Sequence, residues 1–308
     1  MNIVVVNSIP TDVPDWCDFF NLPNFYNLHK TSASIFLCFK LEDKLIGLCH
    51  FTETESGTYR SPYRGTYGNI NFKHDLDLEL KYSCVTELLK FLKTIPIKKI
   101  EIVSEPFSHN LHNSNSLFNI YLNKGFAVSN QEINHSLMVD EKPLSDKMMR
   151  NNKKRLNKCE RENFVFEQVF SNDEINQVYK TIQENREAKG YKVSMSLTQI
   201  IEMYAIFPNA LYFFKVSQNK NCAASAVCIK LNSMVLYVFY WGDIKGYEQY
   251  SPVVYLANGI YNFAQQNHFK LIDAGTSSIS GEPNFGVTAF KENLGFTISS
   301  KLTYSKEL

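Results

Sequence analysis

The chain has 308 residues, of which 20% are charged and 14% aromatic, and its formal net charge is +1. This composition excludes a disordered or low-complexity chain, and a charge so near zero leaves only local patches as a reason to bind nucleic acid. The length allows two domains, each with a sizeable core. Seven cysteines (Cys17, Cys38, Cys49, Cys84, Cys159, Cys222 and Cys228) are odd in number, scattered among apolar neighbours and free of any C-x-x-C pair. That usage implies buried reduced thiols and gives no zinc spacing, so no metal site is expected. The opening MNIVVVNSIPTDVPDW lacks a basic n-region. No run approaches the ~20 apolar residues of a membrane span. A cytoplasmic protein without a membrane span is expected.

In chain order, Asn2–Val6 reads as a strand and Asp12–Phe20 as a short helix. Ile35–Leu41 and Leu45–Thr52 form a hairpin about Glu42-Asp43-Lys44. The stretch Arg60–Gly68, rich in Gly and Pro, reads as an irregular loop carrying two Arg and two Tyr. Leu78, Tyr82, Val85, Leu89 and Leu92 then mark an amphipathic helix. Ile97–Val103 is a strand, Glu105–Asn115 a polar loop with His109 and His112, and Leu117–Leu122 a helix ending at Lys124-Gly125. Phe126–Val139 reads as the closing strand pair of this half.

Asp140–Asp146 is the best linker. It separates an N-terminal domain over 1–140 from a C-terminal domain over 147–308. A basic helix follows, with seven Lys/Arg against three Asp/Glu between Asp146 and Glu162. By default this is a solvated face, with an RNA or phosphate contact as the alternative. Ser171 with Glu174 and Ser196 with Gln199 are capping-box signatures for two helices. Leu211–Val216 and Cys222–Leu231 pair as a hairpin, and Asn232-Ser233 turns into the next strand.

The most informative stretch is Leu236–Phe296. An aromatic strand ends at Tyr240-Trp241 and gives way to the polar loop Gly242–Tyr250. Ser251-Pro252 opens a helix, because Ser can cap the first N–H groups and Pro fits the first turn. A short strand, Phe269–Ala274, ends at Asp273 and Gly275, and the chain closes on Phe290-Lys291-Glu292-Asn293-Leu294-Gly295. Landmarks recur between the halves at offsets of roughly 170 to 176 residues: Ile35–Lys40 with Leu211–Val216, Ile100 with Leu271, and Gly125-Phe126 with Gly295-Phe296. One order of events repeated twice implies an internal duplication.

This series resembles the Fem family and its relatives, which carry two tandem GNAT-type acyltransferase domains. The resemblance rests on the aromatic-Gly strand end, the Pro-opened helix, Asp-x-Gly, Phe-Lys-x-x-x-Gly and the basic Arg-Asn-Asn-Lys-Lys-Arg helix. It implies an α/β fold of two GNAT-like mixed sheets. The implied activity is transfer of an acyl or aminoacyl group to an amine on a cell-envelope or glycan precursor, with a small-molecule, glycan or peptide acceptor.

The acyl-CoA pyrophosphate loop of GNAT enzymes is missing from both halves, as it is from Fem relatives. The co-substrate is therefore either acyl-CoA or aminoacyl-tRNA, with no permanently bound cofactor. In the resemblance Lys291 neutralises negative charge near the acyl ester from the rim of the site. Tyr240, Trp241, Tyr247, Tyr250, Ser251 and Phe290 lie on the donor side, and Arg60, Tyr63 and Arg64 on the acceptor side, where two guanidiniums suit a carboxylate or phosphate. Asp273 orients the acceptor or acts as the base, with a turn-capping Asp in Asp-Ala-Gly-Thr as the alternative. A duplicated fold that has become a non-catalytic binding protein is the alternative reading.

Overall fold

Runs rich in β-branched and aromatic residues become the strands, and capped amphipathic runs become the helices. The computed structural model describes residues 3–308. The first half reads β1 (Ile3–Asn7), a 3-10 turn (Phe19–Asn21), α1 (Pro23–His29), β2 (Ser34–Leu41), β3 (Lys44–Glu55), β4 (Thr58–Ser61), β5 (Asn71–Phe72), α2 (Leu78–Leu92), β6 (Lys99–Val103), α3 (Leu111–Asn123) and β7 (Ala127–Met138). The second half begins with α4 (Leu144–Lys147), α5 (Arg150–Arg161), β8 (Val165–Val169), α6 (Asn172–Ala188), α7 (Leu197–Ile206), β9 (Leu211–Gln218), β10 (Asn221–Lys230) and β11 (Val235–Asp243). It ends with α8 (Pro252–Gln266), β12 (Leu271–Thr276), β13 (Ser278–Ile279), β14 (Glu282–Pro283), α9 (Phe285–Asn293) and β15 (Thr297–Glu307).

Three local expectations change. No helix covers Asp12–Phe20 beyond the turn at Phe19–Asn21, because Pro14 offers no N–H and disfavours the helical conformation of Val13. The buried face of α2 is Cys84, Val85, Leu88 and Leu92, while Leu78 and Tyr82 stay exposed; Tyr82 instead receives the Lys124 ammonium 3.6 Å from its ring centroid. The helix expected over Leu117–Leu122 begins at Leu111, since the Asn110 side chain accepts from Asn113 N–H at 3.0 Å and caps it.

The chain forms two compact units. The first takes residues through Ile133 with Ser278–Glu282 and Ser299–Leu308; the second takes Asn134–Ser277 and Pro283–Ile298. In the first unit β1, β2, β3 and β4 pair antiparallel, β4 pairs parallel with β6, and β6 pairs antiparallel with the end of β15. In the second, β8, β9, β10 and β11 pair antiparallel, β11 pairs parallel with β12, and β12 pairs antiparallel with the end of β7. Each unit thus carries the GNAT strand order. The order is complete in each only because the closing antiparallel strand of each comes from the other half of the chain.

The helix ends repeat as well. Phe126 N–H returns to Tyr121 O at 2.9 Å and Phe296 N–H to Lys291 O at 3.1 Å, with Gly125 and Gly295 at φ +76° and +96°. That left-handed conformation is the reason for glycine at each helix stop.

In the first unit Leu37, Phe39, Phe51, Val85, Leu88, Ile100 and Tyr121 form the core. In the second, Leu156, Phe214, Leu236, Val254, Leu256, Ile260 and Ile272 do so, each fully buried aliphatic residue contributing about 1.5–3 kcal/mol. Here α8 approaches β8 closely: a Cβ at Gly259 would lie 2.2 Å from the Phe166 ring, itself stacked on Phe214 at 5.2 Å. Gly259→Ala gains up to about 1 kcal/mol of helix propensity, but displacing the ring costs about 1–3 kcal/mol. The variant should therefore be less stable than the parent. An unchanged or higher urea midpoint would contradict this packing.

Candidate functional site

The parallel pair β11/β12 holds only from Val235↔Leu271 to Tyr237↔Asp273, after which the strands separate and β11 continues to Asp243. Such a splay exposes backbone groups and side chains at the strand ends, where open α/β sheets place their ligands. In the first unit the matching pair β4/β6 ends at Ser61↔Ile102, and the chain fills its own splay there: Gly68 N–H donates to Val103 O at 2.9 Å, and Tyr67 is buried beside it. The helix that follows in that unit, α2, is capped by the Asp77 carboxylate, which accepts from Leu80 N–H at 2.8 Å. A carboxylate there disfavours a second anion. In the second unit, among the described residues, no such backbone bond bridges β11 and β12 beyond Tyr237↔Asp273.

At that splay β12 bulges. Its register with β7 shifts between Asp273 and Thr276, and Gly275 turns at φ +74°. Asp273, 1% exposed, accepts from Gly275 N–H at 2.7 Å and from Asn134 Nδ2 at 2.8 Å. Lys291 reaches two carbonyls at this irregularity: its Nζ donates to Gly275 O at 2.8 Å and Thr276 O at 2.9 Å. Lys291 comes from the last turn of α9 and is 2% exposed. It is not the rim residue that the sequence suggested. With Phe290 set against Trp241 at 5.6 Å, the helix places the following side chain inward. Burial pushes the ammonium down to about 8; the Asp273 charge opposes this and the Arg186 guanidinium adds to it.

Two residues not anticipated from the sequence belong to this group. His135 on β7 is fully buried, and its Nδ1 is 2.9 Å from Ser277 Oγ. Burial and the neighbouring Lys291 hold the ring neutral with a pKa of about 4, against the pull of Asp273. Arg186, near the end of α6, lies with Cζ 5.9 Å from the centroid of Tyr240, whose hydroxyl bonds Ser194 Oγ. Among the described residues the Arg186 guanidinium has no carboxylate partner, which suits it to an anionic group.

The remaining donor-side residues separate into two clusters. Alternation along β11 sends Tyr240 and Trp241 to opposite faces: Tyr240 to Arg186, and Trp241 to Phe290 and Phe296. Tyr247 and Tyr250 pack 6.0 and 5.3 Å from Phe164. Lys158 of α5 reaches over Tyr250 at 4.6 Å and donates to Gln249 O. The outward residues of the basic helix, Arg150, Lys154, Arg155 and Arg161, form a solvated face, while Asn152, Leu156 and Cys159 are buried.

Ser251 does not cap α8. It sits at φ +53° because its N–H closes a turn onto Tyr247 O at 3.1 Å, and its hydroxyl turns back to Glu248 O at 3.4 Å. Arg60, Tyr63 and Arg64 belong to the first unit; Arg60 lies 3.9 Å from Glu101, and Arg64 stands 5.2 Å over the Tyr63 ring. Among the described residues no His/Cys/Asp/Glu cluster is arranged to hold a metal, all seven cysteines are free and buried, and no helix is long and apolar enough to cross a membrane.

No family model matches the sequence, and no curated protein matches it. Solved structures do. FemX aligns at TM-score 0.74 and 11% identity, over 94% of this chain and 92% of that one. L-PGS from Bacillus licheniformis aligns at TM-score 0.59 and 10% identity, over 84% and 80%. A conserved protein of unknown function from Bacteroides thetaiotaomicron VPI-5482 aligns at TM-score 0.59 and 12% identity, over 95% and 92%. The fold is therefore Fem-like, with two GNAT-type units.

Proposed function

We propose that this chain is an N-acyltransferase that moves an acyl or aminoacyl group onto an amine of a cell-envelope or glycan precursor. The observation that carries the reading is the buried Lys291 ammonium, held by the Gly275 and Thr276 carbonyls just beyond the point where β11 and β12 stop pairing. In acyl transfer the amine nitrogen attacks the carbonyl carbon, the C–N bond forms, and the C–O or C–S bond to the carrier breaks. Negative charge grows on the carbonyl oxygen and then on the leaving group. A fixed ammonium in a dry site stabilises that charge without reorganising, a contribution typically of a few kcal/mol.

Arg186 supplies a second positive group without a carboxylate of its own, fitted to a phosphate or carboxylate on the donor or acceptor. Asp273 is committed to Gly275 and Asn134, which supports a role in holding the bulge over a role as the base. The missing acyl-CoA pyrophosphate loop supports aminoacyl-tRNA as the co-substrate, with acyl-CoA as the other candidate.

The test is a thermal-shift screen with CoA thioesters, charged tRNA and nucleotide sugars, followed by mass spectrometry of acceptor amines. A ligand at 100 times its dissociation constant should stabilise the protein by about 2.7 kcal/mol. If no donor stabilises the chain and no acceptor gains an acyl mass, the proposal fails.

A further inference from the structure

We propose that His135 is a positioning residue of the Lys291 site, clamping the β12 bulge whose carbonyls hold the ammonium. The bulge lies between Asp273 and Thr276, and the stretch from Asp273 to Ser277 is pinned by two consecutive residues of β7. Asn134 fixes its start through Asp273 at 2.8 Å, and His135 fixes its end through Ser277 Oγ at 2.9 Å. Ser277 is also the junction to the next element, since its carbonyl accepts from Asn284 N–H at 2.8 Å and Asn284 caps α9. One imidazole thus ties down both the carbonyls that receive Lys291 and the start of the helix that carries it.

Packing alone does not account for a histidine here. The ring is fully buried, its Nδ1 is used on Ser277, and its Nε2 has no hydrogen-bond partner among the described residues. A buried ring nitrogen left unpaired lowers stability, so an aliphatic residue would serve a purely structural strand better. The charged groups facing the ring are Lys291 from α9 and Asp273 from β12. Beside Lys291 a cationic clamp would repel the ammonium that it positions, whereas the neutral imidazole holds Ser277 without adding charge.

The proposal rests on the reading of Lys291 as the charge-bearing group, but its test reads Lys291 directly and needs no turnover. The ammonium titration is followed by NMR of the full chain with isotope-labelled lysine, and the Lys291 signal is identified by its absence in Lys291→Arg. In the parent it should titrate at about 8. In His135→Leu and in Ser277→Ala the released ammonium should reach solvent and titrate upward, toward the ordinary 10.5. His135→Asn, whose amide stands near the Nδ1 position, should keep the parent value. If His135→Leu does not fold, the small Ser277→Ala change decides alone. An unmoved Lys291 titration in folded Ser277→Ala overturns the clamp, and so does a shift in His135→Asn equal to that in His135→Leu. A shift as expected in a protein that transfers no acyl group leaves the clamp standing and removes the functional reading.

Discussion

Lys291→Met should lower the rate of acyl transfer by about 100-fold or more, because it removes the ammonium that the proposed reaction uses to stabilise the developing carbonyl charge. Met matches the length of the lysine stem and should still fill the space between α9 and the bulge. Gly275 O and Thr276 O lose their donor, however, and a buried carbonyl left without one costs about 1–3 kcal/mol. The variant should therefore fold with a lowered Tm, in contrast to a lysine at the rim, whose loss would leave Tm unchanged. Lys291→Arg should recover little activity, since a planar guanidinium cannot occupy a site shaped for a compact ammonium with two carbonyls. Single-turnover assays with saturating donor separate the chemical step from binding. Full activity in Lys291→Met would remove Lys291 from the mechanism and shift attention to Arg186.

Much of this was legible in the sequence because it depends on local chemistry. The Gly-Phe pairs after two short helices announce the same left-handed helix stop, and the structure places Gly125 and Gly295 in it. Ser196 and Gln199 form the reciprocal capping box that their spacing implied. Phe290-Lys291 stands out because an apolar residue beside a cation at a helix end fixes the cation's direction.

What stayed hidden depends on pairing across long separations. Asn134-His135-Ser136 is a polar run in a strand that continues with apolar residues, and only the register Asp273↔Ser136 and Thr276↔Asn134 shows that it borders the site. That run was the available signal, since three successive polar residues in a buried strand require partners. Arg186 lies in the polar run ENREAK, where nothing distinguishes it from a solvated helix residue. The closing strand of each unit comes from the other half of the chain, and short-range patterning carries no trace of that exchange. The cap predicted at Ser251 failed for a local reason instead: its N–H closes a turn onto Tyr247, four residues back, which overrides its own capping propensity.

Lowering the pH from about 7 to 4 should destabilise the protein steeply, through histidines buried in the neutral form. His50 is buried, stacks near Phe36 at 6.0 Å, and bonds Phe20 O at 2.8 Å through Nε2. Burial lowers its pKa from 6.5 to about 4, and His135 is lowered to about 4 as well. Between those two values the unfolded chain binds a proton at each histidine and the native chain does not, so stability falls as pH falls. Each tenfold loss of proton affinity on folding corresponds to about 1.4 kcal/mol, so His50 alone accounts for about 3 kcal/mol. His135, set between charged Lys291 and Asp273, accounts for less. Glu105 acts in the opposite sense: burial raises its pKa above 4.5, so its contribution is present at low pH and lost as pH rises through the folded value. It therefore offsets part of the histidine effect. Urea midpoints taken at half-unit steps should fall from pH 6.5 to 4. His50→Phe preserves the ring contact with Phe36 but cannot titrate, so it should be less stable at neutral pH and show a visibly shallower slope. A parent midpoint that stays flat across this window, or a His50→Phe slope equal to the parent's, would show that the buried histidines do not govern acid stability.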